Sequence, residues 1–152
     1  MNIYLCGFQG VGKTHHGKRL ARTLFMPFHD VDEEILLLHP APSIRALHQQ
    51  IGEHEFRKIE EKIVETLSRK QNCLIALGGG SLESKASQDH VLKTGKLYYL
   101  YKPLEQVRPK SIPHYIQEPF ETFFTRRHTI FSTLAHHTIQ VAHDWQAASH
   151  KK

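Results

Sequence analysis

The sequence predicts an α/β fold, a single domain of three α/β/α layers around a parallel sheet of about five strands. Three observations carry that expectation. Short apolar runs alternate with longer stretches of helical periodicity, the pattern of strands joined by helical crossovers. The first apolar run enters a glycine-rich turn that leads at once into a helical segment. The 152 residues contain no internal repeat, low-complexity tract or interdomain linker, and one hydrophobic core accommodates that length.

Ile3-Tyr4-Leu5-Cys6 closes on Gly7, as a buried parallel strand would. From Lys13 to Phe25, Leu20, Ala21, Leu24 and Phe25 recur at helical spacing, and Pro27 stops the helix. Phe28 to Asp30 reads as a second, brief strand. The helix after it runs to about Leu38 and ends before His39-Pro40-Ala41-Pro42. Ser43 can cap the next helix, which has Ile44, Leu47, His48 and Ile51 on one face. Gly52 interrupts, and Glu53 to Arg69 forms a charged helix carrying Phe56, Ile59, Ile63, Val64 and Leu67. Cys73 to Leu77 is the clearest buried strand, closed by Gly78-Gly79-Gly80. A helix over about Leu82 to Lys93 precedes a strand at Leu97 to Tyr101. Pro109, Pro113 and Pro119 make the following stretch irregular. Phe120 to Leu134 is helical, and Thr138 to Val141 is a final strand.

Composition narrows the function classes. The chain is 39% hydrophobic, with no apolar stretch approaching the roughly 20 residues that span a bilayer. Its start lacks the basic and long apolar regions of a signal peptide, so a cytoplasmic address without membrane partners is expected. Cys6 and Cys73 fall in predicted strands, as core thiols rather than a disulfide. The net charge is +5, but the cations are scattered, with no block of five or six Lys or Arg. That distribution argues against nucleic acid and suits an enzyme with anionic ligands. The 13 histidines include the pairs His15-His16 and His136-His137. Helical neighbours point about 100° apart and make poor joint ligands, so solvent-facing histidines are expected.

Gly7-Phe8-Gln9-Gly10-Val11-Gly12-Lys13-Thr14 fills every position of G-x-x-x-x-G-K-[ST], between a strand and a helix. Such a loop curls so that its N–H groups meet phosphate oxygens at a helix N-terminus. Lys13 can reach the β- and γ-phosphates and the Thr14 hydroxyl can ligate Mg²⁺. The motif implies a bound nucleoside triphosphate and leaves the acceptor open.

Three further features bear on the acceptor. Asp30-Val31-Asp32 follows the second strand, at the sheet edge where open α/β folds bind ligands. A carboxylate there can accept a hydroxyl proton or help hold Mg²⁺ through water, although an acidic first helical turn explains the same residues. Arg57 and Glu60 lie one turn apart, so Glu60 could orient a guanidinium that grips a carboxylate; a surface ion pair has the same spacing. Gly78-Gly79-Gly80 offers bare backbone to a ligand.

Together these segments resemble the shikimate kinase family, of the nucleoside monophosphate kinase-like P-loop fold. The resemblance runs from Ile3 to Val141 and rests on Gly7 to Thr14 with Gly17, Phe28 to Asp32, Gly52 to Glu60, and Ala76 to Gly80. It implies a core with its phosphate loop at 7–14, an acceptor-binding helical region at about 31–60 and a lid at about 109–119. ATP would bind Gly7, Gln9, Gly10, Val11, Gly12, Lys13 and Thr14, and Thr14 with Asp30 would hold Mg²⁺. Asp32 would bind the shikimate hydroxyls and act as base. Arg57 would hold the shikimate carboxylate, and Gly78, Gly79 and Gly80 would line the acceptor. Arg127-His128-Thr129-Ile130-Phe131 fits the family's R-x-x-x-Y pattern with Phe for Tyr, which adds Arg127 to the carboxylate grip. Lys13, Asp32 and Arg57 are the implied catalytic set, in a protein expected to work as a monomer.

The departure lies in the lid, where Ile112-Pro113 stands in place of the family's Arg-Pro pair. Arg108-Pro109 falls too early for that role and matches the region that packs against adenine. Arg108 and Lys110 are the only Lys or Arg between Lys102 and Arg126. Two other readings stay open, a related kinase for an acceptor such as gluconate, or a nucleotide-binding homologue without turnover.

Overall fold

The computed structural model of the chain describes residues 1–107 and 113–141. Its strands are β1 (Asn2–Cys6), β2 (Phe28–Asp30), β3 (Leu74–Ala76), β4 (Gly95–Tyr101) and β5 (His137–Gln140). The helices are α1 (Lys13–Leu24), α2 (Val31–Leu38), α3 (Ile44–Ile51), α4 (Glu53–Ser68), α5 (Lys85–Thr94) and α6 (Phe120–Leu134). All strand pairs are parallel in the order β2-β3-β1-β4-β5. This is the expected α/β fold with helices on both faces of a five-stranded sheet.

Apolar strand residues explain the central place of β1. Tyr4, Leu5 and Cys6 are buried, as are Leu74, Ile75 and Ala76 of β3 and Leu97, Tyr99 and Leu100 of β4. Burial pushes the Cys6 thiol up to about 12, so it stays protonated, and both cysteines are free. The register pairs Ile3 with Leu74 and Leu5 with Ala76, and sets Asn2 beside Gly95. The C-terminal ends of β1, β2 and β3 therefore bring Gly7, Asp30 and the 77–80 turn to one sheet edge.

Local chemistry starts the helices. The Asp30, Ser43 and Ser84 side chains accept from Glu33, Ala46 and Ser87 N–H and cap α2, α3 and α5. The Ser84 cap displaces the helix expected from Leu82: Ser81–Glu83 forms a separate 3₁₀ turn and α5 begins at Lys85. The predicted apolar face of α1 is only partly buried. Phe25 lies beyond the helix in a left-handed cap and is 95% exposed. Leu20 and Leu24 line an apolar cavity of about 540 Å³ with Ile139 and Val141, and α1 itself buries Gly17 and Ala21.

Phe8 turns inward from the loop after β1. Its ring stacks on Phe124 at 4.7 Å and meets Phe123 and Phe131 edge-on at 5.8 and 5.4 Å. These contacts fasten the loop to α6.

Beside β1 the sheet has no room at the start of β4. A Cβ on Gly95 would lie 2.2 Å from the Asn2 carbonyl oxygen and 2.8 Å from the Tyr4 ring. Backbone cannot yield as a side chain can, so Gly95→Ala should separate β1 from β4 at that end. A loss of about 1–3 kcal/mol is expected in urea unfolding, and wild-type stability would refute the packing argument.

Candidate functional site

The phosphate loop is held open by glycine geometry. Gly10 and Gly12 have φ of 88° and 99°, and Gly12 caps α1 without any side-chain bond to the first helical amides. The start of α1 thus presents its dipole and backbone to an anion without competition from a capping side chain. A cavity of about 410 Å³ lies over them, lined by Gly12, Lys13, Thr14 and Asp30 among others.

Within it, the Lys13 ammonium donates to the Gly7 and Phe8 carbonyls at 2.7 and 3.1 Å. Burial lowers its pKa, and the Asp32 and Asp30 carboxylates oppose that shift. The Thr14 hydroxyl donates to Asp30 Oδ2 at 2.6 Å. Asp30 Oδ1 caps α2, so the carboxylate serves the helix and the loop at once. The helix-stabilising reading of this residue therefore describes a real contact. Thr14 and Asp30 form a hard oxygen pair beside the phosphate loop, which suits Mg²⁺ with phosphate and water completing its shell. No cluster of three or more His, Cys, Asp or Glu that could hold a metal occurs among the described residues.

A second cavity, of about 280 Å³, adjoins the first. Arg57, Glu60, Gly80 and Arg127 line it, and Gln9, Asp32 and Gly79 line both cavities. Arg57 reaches Glu53 through Nε at 2.7 Å, Glu60 through Nη1 at 2.6 Å and the Tyr115 hydroxyl through Nη2 at 2.5 Å. Glu60 is only 2% exposed, so this is a buried pair and not the surface pair that the spacing also allowed. Burial works against the Arg57 charge, but Glu60, Tyr115 and Glu53 outweigh it and its pKa moves up. Arg127, buried over the Phe123 ring, donates through Nε and Nη2 to Glu83 at 3.0 and 2.7 Å and through Nη2 to Tyr115 at 2.8 Å.

Each flanking glycine of the triple leaves room for a different group. At Gly78 a Cβ would stand 2.9 Å from both Asp32 Oδ1 and Glu60 Oε2. At Gly80 it would stand 2.6 Å from Arg57 Nη2 and 2.9 Å from Arg127 Nη2. The turn is bare because charged side chains pack against its backbone.

Several site residues escaped the sequence reading. Glu83 holds Arg127 and also pairs with Arg126. Its signal was an acid just after the glycines, in a stretch read as plain helix. His48 is buried, contrary to the expectation for histidines; it stacks between Phe56 and Tyr115 at 4.4 Å each and contacts Glu53. The apolar spacing of α3 had put it on the inner face. Burial lowers its pKa despite the pull of Glu53. Arg108 and Lys110, and with them the adenine contact and residues 109–112 of the lid, lie outside the described residues.

Comparisons with known proteins identify the family. The family model described as shikimate kinase matches residues 9–150. A shikimate kinase of Baumannia cicadellinicola is 34% identical over 91% of this chain and 86% of its own. One from Shewanella sp. (strain ANA-3) is 37% identical over 69% of this chain, a match that spans 61% of the Shewanella protein. A solved structure of shikimate kinase from Acinetobacter baumannii in complex with shikimate has a TM-score of 0.81 and 28% identity. It covers 99% of this chain and 90% of its own.

Asp32 carries the main electrostatic anomaly. Burial, with Glu60 and Asp30 nearby, raises its pKa from 3.8 to about 7 against the pull of Lys13 and Arg57. Between those two values the folded chain holds a proton that the unfolded chain has released, so the residue's contribution to stability falls as pH rises through that window. Asp32→Asn should therefore raise Tm relative to wild type at about pH 8 and lose that advantage at about pH 4. A pH-independent difference in Tm between the two proteins would refute the shift.

Proposed function

Because the chain belongs to the shikimate kinase family, we propose that it transfers the γ-phosphoryl group of ATP to the 3-hydroxyl of shikimate, giving shikimate 3-phosphate and ADP. The observation that carries this reading is the junction of the two cavities at Gln9, Asp32 and Gly79. A phosphate on the loop and a hydroxyl beside Arg57 and Arg127 would meet there, next to an acid able to take the proton.

Phosphoryl transfer depends chiefly on alignment and on neutralising oxygen charge. Lys13 would leave its loop carbonyls for the phosphates and, with the amides at the start of α1, meet the charge on the transferring group. Gly7, Gln9, Gly10, Val11 and Gly12 complete the ATP cradle. Thr14 directly and Asp30 through water would hold Mg²⁺, which would supply neutralisation of phosphate charge. Arg57 and Arg127 would take the acceptor carboxylate, with the backbone of Gly78, Gly79 and Gly80 along the ring. Asp32 would accept the hydroxyl proton as the oxygen attacks phosphorus and ADP departs. A pKa of about 7 suits that base, since proton transfer is most effective near the working pH.

We assign the activity to a monomeric, single-domain enzyme in the cytoplasm. No described helix is long and apolar enough to cross a membrane. A coupled assay of ADP release with shikimate, with gluconate and with no acceptor tests the reading. Shikimate-dependent release is expected; release that shikimate leaves unchanged overturns it.

Two variants probe the halves of the site. Lys13→Ala should lower kcat by about 10²-fold or more, and a near-normal kcat would remove Lys13 from the transfer step. Arg57→Lys should raise the KM for shikimate roughly 10-fold and spare the KM for ATP, because an ammonium cannot serve Glu53, Glu60 and the acceptor together. Impaired ATP binding instead would place the acceptor cavity wrongly.

A further inference from the structure

We propose that the Tyr115 hydroxyl is a built-in stand-in for the acceptor carboxylate, occupying the point where Arg57 and Arg127 converge and limiting the affinity of any acid that must replace it. The inference rests on the reading of those two arginines as carboxylate ligands.

The geometry is that of a ligand. Arg57 Nη2 and Arg127 Nη2 both donate to the one phenol oxygen, at 2.5 and 2.8 Å. The same two nitrogens bracket the bare Gly80, so the oxygen sits over the glycine turn where the acceptor is expected. Tyr115 comes from the 113–119 segment, 58 residues from Arg57, and its ring is seated independently of its hydroxyl. It stacks on His48 at 4.4 Å and lies 5.4 Å from the Arg57 guanidinium.

Charge balance identifies the phenol as the partner that yields. Around the cavity Arg57, Arg126 and Arg127 face Glu53, Glu60, Glu83 and Glu118 in linked ion pairs. An incoming carboxylate would not displace Glu60 or Glu83, because each is buried or half-buried and hydrogen-bonded to its guanidinium. Among the described hydrogen bonds of Arg57 and Arg127, Tyr115 is the one neutral partner. Exchanging a neutral oxygen for an anionic one strengthens both bonds, so a carboxylate wins the position and a neutral acceptor group does not. The same exchange subtracts the two phenol bonds from the binding free energy. Tyr115 thereby sets both the preference for an acid and the ceiling on its affinity.

The test is Tyr115→Phe, which keeps the ring on His48 and removes only the oxygen. Titration calorimetry of shikimate into the enzyme with ADP and Mg²⁺ should give a Kd about 3- to 10-fold lower than wild type, with the KM for ATP unchanged. Without ligand the variant should melt lower, having lost two bonds, yet gain more in Tm on adding shikimate. A side chain that merely braces the site would lower both quantities. Equal or weaker shikimate binding by the variant overturns the inference. If the wild type neither binds nor phosphorylates shikimate, the proposed function falls separately, and benzoate, a ring carboxylate without hydroxyls, becomes the probe. Tighter benzoate binding by the variant then upholds the stand-in role, and equal, weaker or absent binding overturns it.

Discussion

One buried carboxylate organises the acceptor side of this molecule. Glu60 bonds Arg57 through one oxygen and the Ser81 hydroxyl through the other, and Ser81 in turn accepts from Gly78 N–H. A single side chain on α4 thus orients a guanidinium, shapes the glycine turn after β3 and, through its charge, helps keep a proton on Asp32. Each of these would be costly alone. An unpaired buried charge is strongly destabilising, whereas this one is satisfied at both oxygens. Removing it would leave Arg57 without its buried carboxylate partner and the Gly78 turn without its anchor.

The two sides of the site follow different physical rules. The phosphate side relies on backbone: left-handed glycines, uncapped helical amides and a lysine parked on carbonyls. Its backbone is already curled for an anion, and Lys13 is the group that must move when one arrives. The acceptor side relies on buried ions held in place by one another, an arrangement that works against stability but fixes direction. Asp32 lies at the seam and carries the conflict. It is close enough to Lys13 and Arg57 to be drawn towards ionisation, and close enough to Glu60 and Asp30 to resist it.

What could be read from the sequence reflects how far apart the interacting residues lie. The phosphate loop was legible because its whole geometry is written in eight consecutive residues. The pairing of Arg57 with Glu60, the Ser43 cap and the Asp30 turn were legible because their partners are three positions away. Glu83 and Tyr115 were not, since they meet Arg127 and Arg57 across 44 and 58 residues. No local pattern distinguishes a glutamate that will hold a distant arginine from one that faces water. The misreading of α1 has a related cause. Leu20, Leu24 and Phe25 have the right period, but periodicity describes a face of the helix and not whether anything covers it. The spacing of α3 turned His48 inward, but its stacking partners, on α4 and in the segment before α6, lay beyond any local pattern.

The seating of Phe8 among the rings of α6 has a consequence for selectivity. The loop that would hold the donor and the helix that bears Arg127 are clamped together by Phe123, Phe124 and Phe131. That aromatic packing sets the separation of loop and helix, as the two jaws of a gauge. Under the proposed function, a candidate acceptor would be measured against that gauge by the distance between its acid and the hydroxyl it presents. A molecule with the right groups at the wrong separation would grip the arginines and still hold its hydroxyl out of line with the phosphorus. Discrimination then resides in a length built into the core, out of contact with the acceptor itself.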